Sequence, residues 1–73
     1  MQVGDVETIA NAGTLTITHN FNYVPTVNAV KDDTGWVQAV NGTDYTAVTN
    51  AALTETVFTN VSGGELDFII NVT

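Results

Sequence analysis

Two β-branched residue types, threonine and valine, constrain the fold of this chain more than any other feature of its sequence. There are thirteen threonines and eleven valines among 73 residues, and branched side chains fit the pleated, half-buried surface of a sheet. Apolar residues also recur at every second position, at Leu15 and Ile17 and again over residues 66–72. Alternation of this kind gives each strand one buried face and one wet face, as antiparallel sheets have. The sequence therefore predicts an all-β fold.

Turn-forming residues divide the chain at short intervals. An Asp-x-x-Gly hairpin loop ends at Gly35, the pair Asn41-Gly42 is typical of a two-residue hairpin, and a Ser-Gly-Gly turn contains Gly63. Pro25 is expected at an edge or at the first position of a strand. We predict strands at roughly 3–9, 13–19, 26–31, 36–40, 44–49, 53–59 and 65–72. About seven short strands indicate a compact antiparallel sandwich or a small open barrel, forming one domain over residues 1–73.

The charge of the chain is strongly acidic. Lys31 is the only lysine or arginine, and eight carboxylates give a formal net charge of −7. Nucleic-acid binding depends on basic side chains that displace counterions, so the sequence argues against it. Anionic membrane surfaces are disfavoured for the same reason, and no apolar run approaches the roughly 20 residues needed to span a bilayer.

Features of secreted proteins are sparse. The first five residues lack the basic and apolar segments of a signal peptide. Three Asn-x-Ser/Thr sequons, at Asn41, Asn60 and Asn71, are expected by chance in a chain this rich in asparagine and threonine. Cysteine is absent, which excludes disulfides and thiolate metal sites. Because so small a domain is only marginally stable alone, assembly with neighbours is the expected stabiliser.

Few side chains suggest catalysis. His19 follows Leu15 and Ile17 on the same strand face, and we expect a structural histidine whose ring bonds a nearby backbone group. A catalytic histidine would need a nucleophile, and Ser62, the only serine, lies in a turn. Asp32, Asp33 and Asp44 could gather around a hard cation, but aspartates before a turn glycine are more often turn formers. We predict no catalytic residue, no cofactor and no metal.

Aromatic residues supply the candidate contact groups. Phe58 and Phe68 are expected in the core. Trp36 follows a hairpin glycine, so it can be a core plug, an interface anchor or a carbohydrate platform. Tryptophan and tyrosine are favoured at protein interfaces, and we therefore take Trp36, Tyr23 and Tyr45 as the candidate interface residues.

One segment resembles a known module. Residues 18–27, THNFNYVPTV, and the Asp-Thr-Gly that ends at Gly35 resemble a small β module of bacteriophage structural proteins, particularly tail fibres and other virion-surface appendages. In that module a strand ends in His-Asn, here His19 and Asn20, and a corner ending in proline follows, here at Pro25. Asn22 stands where the module usually has glycine, and asparagine also tolerates a left-handed backbone. The resemblance spans roughly residues 13–72.

The resemblance implies a place in a virion. Such modules are non-enzymatic, assemble with copies of themselves or with other virion proteins, and sometimes contact host surface glycans or proteins. The chain has no coiled-coil heptads of a fibre shaft, which favours a capsid-associated decoration, spike or head-fibre protein over a tail-fibre or receptor-binding module. A small carbohydrate-binding module is the further alternative, and it rests on Trp36 and the tyrosines.

Overall fold

The alternating segments form strands. A computed structural model describes residues 2–73, with side chains from residue 6 onward. Its seven strands are β1 (Gln2–Ile9), β2 (Thr14–Thr18), β3 (Val27–Asp32), β4 (Trp36–Gln38), β5 (Tyr45–Thr49), β6 (Glu55–Asn60) and β7 (Leu66–Val72). Every strand pairing is antiparallel. The predicted all-β fold is therefore confirmed, and of the two architectures considered the structure has the sandwich.

The strands form two sheets. The four-stranded sheet has the order β1-β7-β3-β4, and the three-stranded sheet has the order β2-β6-β5. β7 lies between β1 and β3, and β6 lies between β2 and β5. The radius of gyration of 11.5 Å agrees with the value of about 11 Å expected for a folded chain of this length. The two sheets pack over one shared core.

The core is built from the inward residues of both sheets. Phe58 on β6 and Phe68 on β7 are fully buried, as predicted, and their rings meet edge to face at 5.0 Å. Burying a side chain of this size contributes about 2–3 kcal/mol. The predicted alternation of β7 is confirmed. The buried apolar residues are Ile9, Ile17, Ala29, Ala39, Tyr45, Phe58, Phe68, Ile70 and Val72.

The segment after β4 departs from the prediction. β4 ends at Gln38 and not at residue 40, and the Asn41-Gly42 turn connects the two sheets instead of closing a two-residue hairpin. The physical reason is Asp44. Its carboxylate accepts the Val40 N–H at 2.8 Å, and its own N–H donates to the Val40 carbonyl at 2.8 Å. These bonds fold the chain back on itself, so it leaves one sheet and enters the other.

Candidate functional site

His19 follows β2, and its side chain is buried. Nδ1 accepts a hydrogen bond from the Phe21 N–H at 3.2 Å, and Nε2 lies 2.9 Å from the Thr56 hydroxyl. Since Nδ1 accepts, the bonding pattern assigns the proton of the neutral ring to Nε2, which donates to Thr56. Thr56 Oγ1 lies 2.9 Å from Thr49 Oγ1 in turn. Both ring nitrogens therefore tie the end of β2 to its surroundings, including the backbone bond that the sequence led us to expect.

The chain turns sharply after His19. Asn20 and Asn22 have φ angles of 54° and 63°, the left-handed region that asparagine enters more easily than most residues. The amides of His19 and Asn20 both donate to the Thr54 carbonyl, and the Asn22 amide donates to that of Leu53. The loop between β5 and β6 thus holds this corner in one conformation.

Aromatic rings stack outward from the corner. The rings of His19 and Phe21 lie 4.7 Å apart, and those of Phe21 and Tyr23 lie 5.3 Å apart. Tyr23 is 51% exposed and Val24 is 69% exposed, whereas the next residue, Pro25, is buried just before β3. We call Phe21, Tyr23 and Val24 the corner surface. It offers apolar groups to a partner from a backbone that is already fixed, so little conformational entropy is lost on contact.

A groove lies on the outer face of the four-stranded sheet. Its volume is about 270 Å³, slightly below the usual range for small-molecule sites. The groove is lined by Asn28, Ala29, Val30, Gln38, Ile69 and Asn71. Trp36 is 46% exposed and precedes Gln38 by two residues in β4, so both side chains lie on the same face. The amides of Asn28 and Asn71 at the groove can bind the hydroxyls of a single sugar, but Trp36 is not among the residues that line it. Gln38 Nε2 already donates to the carbonyls of Ala29 and Ala39.

The three candidate interface residues occupy different environments. Tyr45 is 3% exposed, stacks on Phe58 at 4.7 Å and reaches the Val27 carbonyl with its hydroxyl at 3.3 Å. Its ring is therefore in the core, where burial raises the pKa of the hydroxyl, and it is not available to a partner. Trp36 and Tyr23 are exposed, but Trp36 pairs with the last residue of β3 and Tyr23 precedes its first. They belong to opposite ends of that strand.

Lys31 and Asp44 form an ion pair between β3 and the start of β5. Lys31 Nζ lies 2.8 Å from Asp44 Oδ1, and the two side chains are 19% and 7% exposed. The hydrogen bond from Lys31 and the Val40 N–H lower the pKa of Asp44, and the hydrogen bond to Asp44 raises the pKa of Lys31. The single basic side chain is thus used internally, to neutralise a carboxylate that shapes a turn.

The Asn60 side chain is completely buried and makes four hydrogen bonds. Its Nδ2 donates to the carbonyls of Ile9 and Gly64, each at 2.8 Å. Its Oδ1 accepts from the N–H and the hydroxyl of Ser62, at 3.0 and 2.7 Å. This is the full hydrogen-bonding capacity of an amide. Asn60 therefore fixes the end of β1 and the turn before β7 to the end of β6, and its amide is not available to a glycan.

The remaining predicted turn residues lie in turns. Gly35, Gly42 and Gly63 have φ angles of 110°, 89° and 95°, which side chains rarely adopt. Gly35 belongs to the tight loop between β3 and β4, and Gly63 lies between β6 and β7. Asn41, before Gly42, is exposed. The turn signals thus located the reversals of the chain correctly.

The acidic residues do not gather. Asp32, Asp33 and Asp44 do not gather around a cation site, because the Asp44 carboxylate is paired with Lys31. Among the side chains that the structure describes, from residue 6 onward, no three His, Asp or Glu groups come together in a way that could hold a metal ion. The same part of the chain includes no helix with the length and hydrophobicity to cross a membrane.

Comparison with known proteins gives the chain no relatives. We found no match among protein-family models, curated proteins or solved structures. The resemblance of residues 13–72 to a phage module therefore remains a prediction from its motif.

Two internal features were not found from the sequence. The role of Asn60 could have been predicted from the alternation of β6. Thr56, Phe58 and Asn60 are its buried positions, so a polar residue occupies a core position beside a turn. No pattern in the sequence predicts the ion pair between Lys31 and Asp44, because the two residues meet only where the chain crosses from one sheet to the other.

Proposed function

We propose that this protein is a non-enzymatic structural component of a virion surface, such as a capsid decoration, spike or head-fibre protein. The proposal rests on one observation: the polar side chains that could act chemically are hydrogen-bonded within the fold, whereas several large apolar side chains are exposed to solvent. Histidine, serine and the one basic side chain serve the fold, while large apolar side chains face solvent.

The first part of this observation concerns the side chains that could act as a base or a nucleophile. Both ring nitrogens of His19 are bonded within the fold, the Ser62 hydroxyl bonds Asn60 and Gly64, and Lys31 bonds Asp44. A nucleophile or base must bring its reactive atom within hydrogen-bond reach of a substrate, and His19 and its partner Thr56 are both buried. These groups act as internal ties instead, which suits a protein whose task is to hold a shape.

The second part of this observation concerns the large apolar side chains that are exposed to solvent. Scattered exposed apolar residues are ordinary, but Tyr23 and Val24 are adjacent and rigidly held, and Trp36 and Val37 are adjacent on β4, near the other end of β3. The exposed large apolar residues are Val6, Tyr23, Val24, Trp36, Val37, Val40, Val48 and Val61. Contact surfaces at two ends suit a module that joins neighbours in an assembly, and the His-Asn-to-proline motif suggests that the assembly is a phage particle.

The test is physical association with particles. Virions from the source should be banded on a density gradient, and the protein quantified against the major capsid protein by mass spectrometry. We expect a fixed ratio across the virion band, and immunogold labelling should mark the head; labelling of the tail tip would favour the tail-fibre alternative. A protein found only at the top of the gradient would refute the virion role.

A carbohydrate-binding module is the second candidate, favoured by a groove on the same face of the sheet that presents Trp36. Binding of neutral saccharides should be measured by affinity electrophoresis for the wild type, for Trp36→Ala and for Tyr23→Ala. Loss of binding in Trp36→Ala alone, in a protein that neither self-associates nor bands with particles, would favour this candidate over the structural role. No binding by the wild type would remove it.

A further inference from the structure

The four edge strands of the sandwich are protected very differently. An exposed edge offers unpaired backbone groups to another chain, and proteins block such edges with short strands, bulges or charges. β4 has only three residues, β1 contains a register shift between Val3 and Glu7 and carries the charge of Glu7, and the turn at Gly42 donates a hydrogen bond to Tyr45 at the start of β5. β2 has none of these devices: its sequence is Thr-Leu-Thr-Ile-Thr.

Backbone direction shows which groups β2 offers. The His19 N–H and the Gly13 carbonyl both bond toward β6. Because backbone groups alternate in direction along a strand, residues at even positions between them point the other way. The N–H and carbonyl groups of Thr14, Thr16 and Thr18 therefore face the open edge. Their side chains are exposed on the outer face of the sheet.

The three-stranded sheet itself also carries little charge. Of the eight carboxylates, only Glu55 belongs to a strand of the three-stranded sheet, and Asp44, just before β5, is paired with Lys31. Two copies with a formal charge of −7 each repel one another least where they meet through uncharged threonines. If β2 strands pair, the two Glu55 side chains are about 14 Å or more apart, which exceeds the Debye length of about 8 Å.

From these observations we propose that a second copy of this chain pairs with β2 edge to edge, antiparallel and across a two-fold axis at Thr16. It extends the assembly role proposed above and rests on it. Thr16 would face Thr16 of the other copy, and Thr14 would face Thr18. The two three-stranded sheets would become one continuous six-stranded sheet, joined by about six backbone hydrogen bonds.

The pairing is tested by placing the same substitution, threonine to lysine, on β2 and on β6, where it should change dimer affinity in opposite directions. Sedimentation equilibrium should compare the wild type with Thr16→Lys and with Thr59→Lys, a matched variant on the central strand β6. Each lysine lowers the negative charge, so it should tighten a dimer that forms elsewhere. At the two-fold axis, however, two lysines face each other. We expect a wild-type dimer, about fivefold weaker association for Thr16→Lys, and unchanged or tighter association for Thr59→Lys.

A second variant guards against a folding defect. Thr16→Pro removes an N–H that points away from β6, so the intramolecular ladder is kept and proline is tolerated at an edge. It should also be monomeric, with an unchanged far-ultraviolet spectrum. A wild type that is monomeric at about 1 mM, equal effects of the two lysines, or growth beyond a dimer would overturn the proposal. A monomer that still bands with virions refutes only the β2 pairing, whereas a dimer absent from virions refutes only the virion role.

Discussion

Replacement of Asn60 tests how far one buried amide holds the sandwich together. In Asn60→Ala the four hydrogen bonds to Ile9, Gly64 and Ser62 are lost. A hydrogen bond contributes about 1 kcal/mol net. Water can reach the groups of exposed Gly64 and half-buried Ser62, but the buried bond to the Ile9 carbonyl has no such replacement. We expect a loss of about 3 kcal/mol in the free energy of unfolding.

That loss is large for a domain of this size. Stability of about 0.05–0.15 kcal/mol per residue gives a total of about 4–11 kcal/mol for this chain. For a small domain about 1 kcal/mol corresponds to about 4–8 °C in Tm. Asn60→Ala should therefore melt about 12–24 °C below the wild type in circular dichroism scans. Asn28→Ala, on the exposed face of β3, is the control and should change Tm by only a few degrees.

An isosteric variant separates hydrogen bonding from shape. Asn60→Asp keeps the acceptor for Ser62 but turns a carboxylate oxygen toward the carbonyls of Ile9 and Gly64. At pH 7 it should be less stable than Asn60→Ala, because a buried charge then faces two carbonyl dipoles. Acidification toward pH 4 should restore part of that difference, since the neutral acid can donate one bond. An Asn60→Asp protein as stable as the wild type at pH 7 would refute the assigned bonds.

Three further predictions concern charge, turn and core. The lowered pKa of Asp44 means that its contribution to stability is complete above its ordinary value of 3.8 and is lost as the pH falls through the lowered folded value; urea titrations should show a shallower acid loss in Asp44→Asn, and an identical acid limb would contradict the assignment. Gly35→Ala should cost about 1–2 kcal/mol for its φ of 110°, whereas Gly64→Ala, with open space and an ordinary φ, should be nearly neutral; similar denaturation midpoints would refute the backbone argument. Phe58→Ala should cost about 3–5 kcal/mol, and a cooperative melt near that of the wild type would place the ring outside the core.

Local patterns in the sequence predicted the strands and their buried faces. The features that they did not predict depend on contacts between residues that belong to different strands. Alternation placed Phe68 and Ile17 in the core, because a period of two assigns faces directly. The turn at Asn41-Gly42 was found, but its geometry depends on Asp44 accepting the Val40 amide. A turn signal specifies a reversal and not the sheet that the chain enters next.

The candidate site was less predictable than the fold. Tyrosine is equally at home in a core and at an interface, and only the stacking of Tyr45 on Phe58 decides between them. Exposure of Trp36 and Tyr23 likewise depends on the short β4 and on the corner after His19. These are properties of neighbours far away in sequence, which composition does not report.

The position of β7 has a consequence for biosynthesis. β1 is the first of the seven strands to be synthesised, yet its hydrogen-bonding partner is the last of them, so that Gln2 pairs with Asn71. Non-local pairing of this kind slows folding, because a long loop must close before the contacts form. The three-stranded sheet can assemble earlier, since β2, β6 and β5 all precede β7. β1 therefore has no partner until β7 has been synthesised, and β7 then joins β1 to the hairpin that β3 and β4 already form.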